Sequence, residues 1–271
     1  MKLIYFLPIA LLFSCKSTKF KDIEADYTQG LKGNIAQMVI KNITYHNKTA
    51  DLNANTVTST QFFKAKNIIV KQVDEFPNFT DETVFSYDGK GRLETQVSTV
   101  GERIRTVKYR YDGSDNLLEY KEDENGKIIF VKTFVYDRRN NPIKVMYKHP
   151  HRTSASDVDI YKYDYKDRTA AIQSFSENSE PGPDYLKVWY DKNGNIIKTQ
   201  TIGNEKSDGF STCEYDNRGN LFQRKSFKID GEQEGSTTYK NSYDQKGNII
   251  IREKYSGDKL VEKFLFQIEY R

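Results

Sequence analysis

The chain has 271 residues, of which 37% are hydrophobic, 30% charged and 13% aromatic, and its 42 basic and 38 acidic residues leave a net charge of +4. So small an apolar share argues against a deep globular core and suits a sheet with one apolar and one wetted face. The two charge signs are interspersed, with no basic stripe of the kind nucleic-acid binders carry, so no nucleic-acid partner is expected.

The chain opens MKLIYFLPIALLFSCKS. One lysine precedes an apolar run from Leu3 to Phe13, too short for a bilayer, which needs about 20 residues. Residues 1–14 therefore read as a signal peptide. The ending Leu12-Phe13-Ser14-Cys15 resembles the bacterial lipobox, in which cleavage precedes a lipid-modified cysteine. Cys15 is the expected lipidation site, and the membrane is the expected partner through it. Each buried methylene adds about 0.8 kcal/mol, so several acyl chains hold firmly. Residues 15–30 then form the lipidated cysteine and a polar tether. The expected location is the outer membrane, lipid-anchored, on its periplasmic or cell-surface face. The segment KSTKFKD lacks an acidic export patch and favours the periplasmic one. With Cys15 lipidated, Cys213 has no disulfide partner.

Residues 31–80 read as N-terminal cap strands, opened by a worn copy of the later phrases, Gly33-Asn34-Ile35. Residues 81–271 are a repeat array. Tyr-Asp pairs begin at Tyr87, Tyr111, Tyr136, Tyr163, Tyr190, Tyr215 and Tyr243, spaced 24, 25, 27, 27, 25 and 28 apart. Tyr270 follows as a half-repeat. The fourth residue after each tyrosine is Gly91, Asp115, Asn140, Asp167, Gly194, Gly219 or Gly247, all of types that tolerate positive φ. The aspartate is a good first residue of a type I turn, since its carboxylate reaches an amide two residues on. The phrase predicts a type I turn closed by a left-handed residue and a bulge, a favoured hairpin connection. Before each turn, pairs such as Tyr109/Tyr111 and Phe134/Tyr136 alternate with mostly polar residues, placing an aromatic ladder on one face. Cys213 falls on that face and reads as a small buried hydrophobe.

The predicted fold is all-β: an antiparallel meander of about seven to eight β-hairpin repeats. One hairpin cannot bury its apolar face alone, so the copies stack into one sheet. A wide, twisted sheet is expected to curl around its aromatic face as a cylinder or spiral.

The phrases FSYDGKGRLETQ and VWYDKNGNIIKTQ resemble the YD repeat of the RHS/YD-repeat family over residues 80–271. With the lipobox and LKGNI, the chain resembles small YD-repeat lipoproteins of Bacteroidetes-type bacteria. Large RHS proteins coil such repeats into a shell around a toxin. Here the repeats are too few for a full shell, with no core-associated region or toxin domain, so those roles do not carry over.

Sites for chemistry are sparse. His149, His151 and His46 lack the three or four convergent ligands a metal needs, and DENG lacks the spaced ligands of a calcium loop. No Gly-rich phosphate loop or Gly-x-Ser-x-Gly elbow occurs. No catalytic residue, metal or cofactor is expected. Variation concentrates in the connections between repeats, above all Tyr147–Asp159 and Ser174–Tyr185. The reading is a non-catalytic cell-envelope lipoprotein that binds or scaffolds through loops on one rim, with an unknown protein or glycan partner. The alternatives are a carbohydrate-binding module using exposed aromatics such as Trp189, or an enzyme with an unrecognised site.

Overall fold

The computed structural model of the chain describes residues 31–46, 49–50, 56–150, 156–203 and 209–271. The expected signal peptide and tether, Cys15 and His151 lie outside the described residues. So does part of the connection Tyr147–Asp159.

Most of the described residues are strand. The first four strands are β1 (Ile35–His46), β2 (Thr49–Ala50), β3 (Thr56–Lys64) and β4 (Ile68–Glu75). Next come β5 (Thr80–Tyr87), β6 (Leu93–Val100), β7 (Arg103–Tyr111), β8 (Leu117–Glu124) and β9 (Lys127–Tyr136). The middle of the chain forms β10 (Pro142–Lys148), β11 (Asp157–Asp164), β12 (Thr169–Ser176), β13 (Tyr185–Tyr190) and β14 (Ile196–Ile202). The last five are β15 (Phe210–Tyr215), β16 (Leu221–Phe227), β17 (Gln233–Tyr243), β18 (Ile249–Ser256) and β19 (Lys259–Tyr270).

Each strand from β3 onward pairs antiparallel with the next, and β1 pairs with both β3 and β19. The two-residue β2 folds back on the end of β1. The result is a closed antiparallel barrel of 18 strands. This corrects the expectation of a curled meander of seven to eight hairpins. Residues 35–46, 56–64 and 68–75 are full wall strands, and β1 takes up the unpaired backbone groups of both edges that an open sheet would expose.

The Tyr-Asp phrases form one end of this wall. In six of the seven turns the aspartate N–H donates to the carbonyl four residues on and the aspartate carbonyl accepts from the residue three on. Asp88 with Arg92 and Gly91 is one example, both bonds being 2.9 Å long. The carboxylate accepts from amides two and four residues on, as Asp112 does from Ser114 and Asn116. Positive φ falls on Gly91, Asp115, Asn140, Gly194, Gly219 and Gly247. At the remaining turn the expectation for Asp167 needs correction, because the left-handed residue is Arg168 at φ 52°. There Asp164 pairs directly with Thr169, so the ladder runs one pair further and the bend moves one residue along.

Burial identifies the inner face. In β5, Thr83 and Phe85 are buried while Glu82, Val84 and Ser86 are exposed, and register carries this alternation around the ring. Eighteen strands enclose a lumen too wide for side chains to fill. Packing therefore runs laterally along the wall. Ile35, Met38, Ile40, Phe63, Phe264 and Phe266 cluster at the seam, and Ala170, Val188, Tyr190 and Ile196 form a second cluster.

Candidate functional site: the lumen wall and its two rims

Toward the Tyr-Asp end, the inner wall is aromatic and aliphatic. The hydroxyl of Tyr111 donates to the carbonyl of Leu93 at 2.8 Å, where the ladder of the preceding hairpin runs out. Tyr87, Tyr136, Tyr163 and Tyr215 do the same to Ile69, Leu117, Pro142 and Ile196. Each ring thus lies along the wall and ties one hairpin to the one before it. Burial, together with Tyr111, pushes the Tyr87 hydroxyl up to about 12. Burial likewise pushes Tyr111 up to about 12, against the pull of Arg92.

Two more turn positions carry roles missed in the sequence. The fifth residue after the tyrosine is a buried asparagine at Asn116, Asn141, Asn195 and Asn248. Asn116 donates to Asp112 and to Asn140 of the next turn, both at 2.9 Å. The third residue is basic in most repeats, and Arg218 and Lys246 lie over the rings of Tyr243 and Tyr270 in the following repeat. The recurrence of Lys or Arg at Lys90, Arg139, Lys166, Arg218 and Lys246 was a readable signal.

Farther from the turns the inner wall turns polar. Arg105 pairs with Glu122, which is only 7% exposed. Tyr120 donates to Glu122 at 3.1 Å, and Tyr109 to Gln96 at 3.1 Å. Asp74 and Asp81 are register partners on β4 and β5. Burial and Asp74 push the Asp81 carboxyl up, against the pull of Arg105. The Asp159 carboxylate accepts from Tyr147 at 2.8 Å and Ser174 at 2.6 Å. Among the described residues no group of three or more His, Cys, Asp or Glu is placed to hold a metal ion.

The far rim carries the variable connections. The Glu177 N–H donates to the Ser156 carbonyl at 2.7 Å, so the connections after β10 and β12 adjoin. Gly182 and Pro183 of this second connection lie against the outer wall, where Gln173 donates to the Gly182 carbonyl at 3.2 Å. Beneath lies a shallow open groove of roughly 500 Å³ bordered by Lys162, Gln173, Pro183, Tyr185 and Lys187. The His149 ring lies 4.9 Å from that of Phe130. Cys213 is buried on the inner wall, with its thiol pushed up by desolvation. Trp189 faces outward with the ammonium groups of Lys187 and Lys198 over its ring, at 5.0 and 4.9 Å. That leaves it poorly placed to offer a bare platform to a sugar.

The outer wall carries charged pairs. Lys71 pairs with Glu82 at 2.7 Å, Lys225 with Glu214 at 3.5 Å and Lys263 with Glu253 at 2.9 Å. A barrel that spans a membrane presents an apolar band about 25 Å tall to lipid. These charges interrupt any such band, while Val84, Ile104 and Val135 are exposed on the same face. No helix among the described residues is long and apolar enough to cross a membrane.

No family profile and no curated protein matches the chain. Among solved structures, a porin-like protein from Bacteroides uniformis is similar with a TM-score of 0.45 and 12% identity, over 87% of this chain and 96% of that one. A porin-like protein from Bacteroides vulgatus gives 0.42 and 12%, over 89% and 99%. The TcdB2-TccC3-TEV structure gives 0.28 and 12% over 77% of this chain, which spans 14% of that one.

Proposed function

We propose that this protein is a non-catalytic binding or scaffolding barrel of the cell envelope, anchored to the outer membrane by lipid on Cys15. The Tyr-Asp hairpins are read as YD repeats serving as scaffold, and the rim opposite their turns as the recognition surface. The observation that carries this reading is that the repeated residues are taken up by the wall. The aspartates hold turns, the tyrosines tie hairpins together, and the buried asparagines link neighbouring turns. Variation is left to the far rim, where two long connections adjoin through Glu177 and Ser156. Charged pairs on the outer wall in turn suit a lipid-held domain better than an inserted one.

Photo-crosslinking in cells tests the recognition surface. A crosslinker at Glu180 is expected to capture one discrete partner, protein or glycan, while one at Lys192 on the turn rim does not. Identical capture at both positions would remove the support. Mass spectrometry of the mature N-terminus tests the anchor, and an unmodified Cys15 would refute it.

A further inference from the structure

The two rims differ in charge. Connections at the Tyr-Asp end, with the chain segments 31–34 and 271 beside them, carry twelve Lys and Arg against eight Asp. The described connections of the opposite rim carry one Lys against seven Asp and Glu. The turn aspartates Asp88, Asp112, Asp137, Asp191, Asp216 and Asp244 are half-buried and accept bonds from their own turns. The cations Lys66, Lys90, Arg138, Lys166, Lys192 and Lys246 are exposed at the tips. The outermost layer of this rim is therefore more positive than the net count implies.

The chain also enters the barrel here. Lys32 exchanges two hydrogen bonds with the Asn248 side chain, at 2.6 and 2.8 Å. The Arg271 N–H donates to the Asn34 carbonyl at 2.8 Å. Residue 31 thus sits on the turn rim. Residues 16–30 can reach at most about 50 Å when fully extended. A lipid on Cys15 accordingly tethers the barrel from its turn rim and leaves the posture to the charges of the two rims.

We infer that the basic Tyr-Asp rim docks on a membrane surface bearing anionic phospholipid headgroups, holding the barrel upright with its acidic, variable rim pointing away. The inference rests on the lipid anchor proposed above. Clustered Lys and Arg beside an anchor are attracted to anionic headgroups, and the attraction fades within a Debye length and with salt. Seven acidic residues at the far rim oppose the inverted posture.

The test uses the lipidated full chain on phosphatidylcholine vesicles with and without phosphatidylglycerol. A fluorophore is attached in a Cys213→Ser background at Asn193→Cys on the turn rim or Ser179→Cys on the far rim. A quencher is carried on the lipid headgroup. The expected result is quenching of the Asn193 label on phosphatidylglycerol vesicles, its loss in high salt, and none for the Ser179 label. Combining Lys90→Glu, Lys166→Glu and Lys192→Glu abolishes the quenching while the protein still floats with the vesicles and keeps its strand signal in circular dichroism. Equal quenching on both lipid compositions, or quenching at Ser179 instead, overturns the inference. Failure to float with phosphatidylcholine vesicles sinks the lipid anchor. The same labels on phosphatidylglycerol vesicles then still decide the rim, which stands with salt-sensitive quenching at Asn193 and falls without it.

Discussion

Tyr111 shows what a single repeated residue does. Its ring covers inner wall, its hydroxyl reaches the Leu93 carbonyl at 2.8 Å, and the guanidinium of Arg92 lies 4.7 Å from its ring centre. Removing only the oxygen leaves a partly buried carbonyl without that donor. Tyr111→Phe is expected to destabilise the barrel by about 1–2 kcal/mol, seen as a lower urea midpoint with unchanged slope. A midpoint equal to the parent's would mean that water replaces the bond freely. At this scale the sequence was partly legible. The aspartates and the left-handed Gly91 or Gly219 could be read from local turn chemistry, since the backbone within the turn decides them. The hydroxyl bond could not, because its acceptor lies 18 residues away on another hairpin.

The elements divide into hairpins that were legible and a seam that was not. Each Tyr-Asp hairpin announces itself through alternation and turn residues, and β5 through β18 follow that pattern, with Thr169 as the departure. The strands of residues 31–80 carry no Tyr-Asp phrase, so they read as a cap. Their place in the wall depends on pairing between β1 and β19, which are far apart in sequence. Asn248 secures that seam. It is 3% exposed and binds Lys32 through both backbone groups, while donating to the Tyr270 hydroxyl at 2.7 Å. Asn248→Ala strands several polar groups at once. We expect a loss of about 2–4 kcal/mol and faster amide exchange in β1 than in β7 or β8. Uniform exchange across the wall would show that the seam does not depend on this side chain.

Across the whole molecule, repeated groups titrate together. Burial would raise the carboxyls of Asp137, Asp216 and Asp244. Bonds from Tyr165, Tyr243 and Tyr270 and from turn amides outweigh it and hold all three below the ordinary 3.8. A folded value below the unfolded one contributes stability that is present above the ordinary carboxylate range. That stability is lost as pH falls through the folded values. The tyrosines work in the opposite direction. Tyr87, Tyr111 and Tyr136 are raised from 10.0 to about 12, chiefly by burial, so their contribution is present below 10 and lost as pH rises toward 12. Melting followed by circular dichroism should give a flat midpoint through neutral pH, falling below about 4 and above about 10. A midpoint steady to pH 12 would contradict the buried tyrosine belt.

The sequence by itself determined an all-β chain of repeated hairpins with aromatic and polar faces, because turn chemistry and strand alternation are local properties. Only the tertiary structure decided that the sheet closes and that β1 joins the two edges. Closure depends on backbone groups at both ends of the chain finding each other.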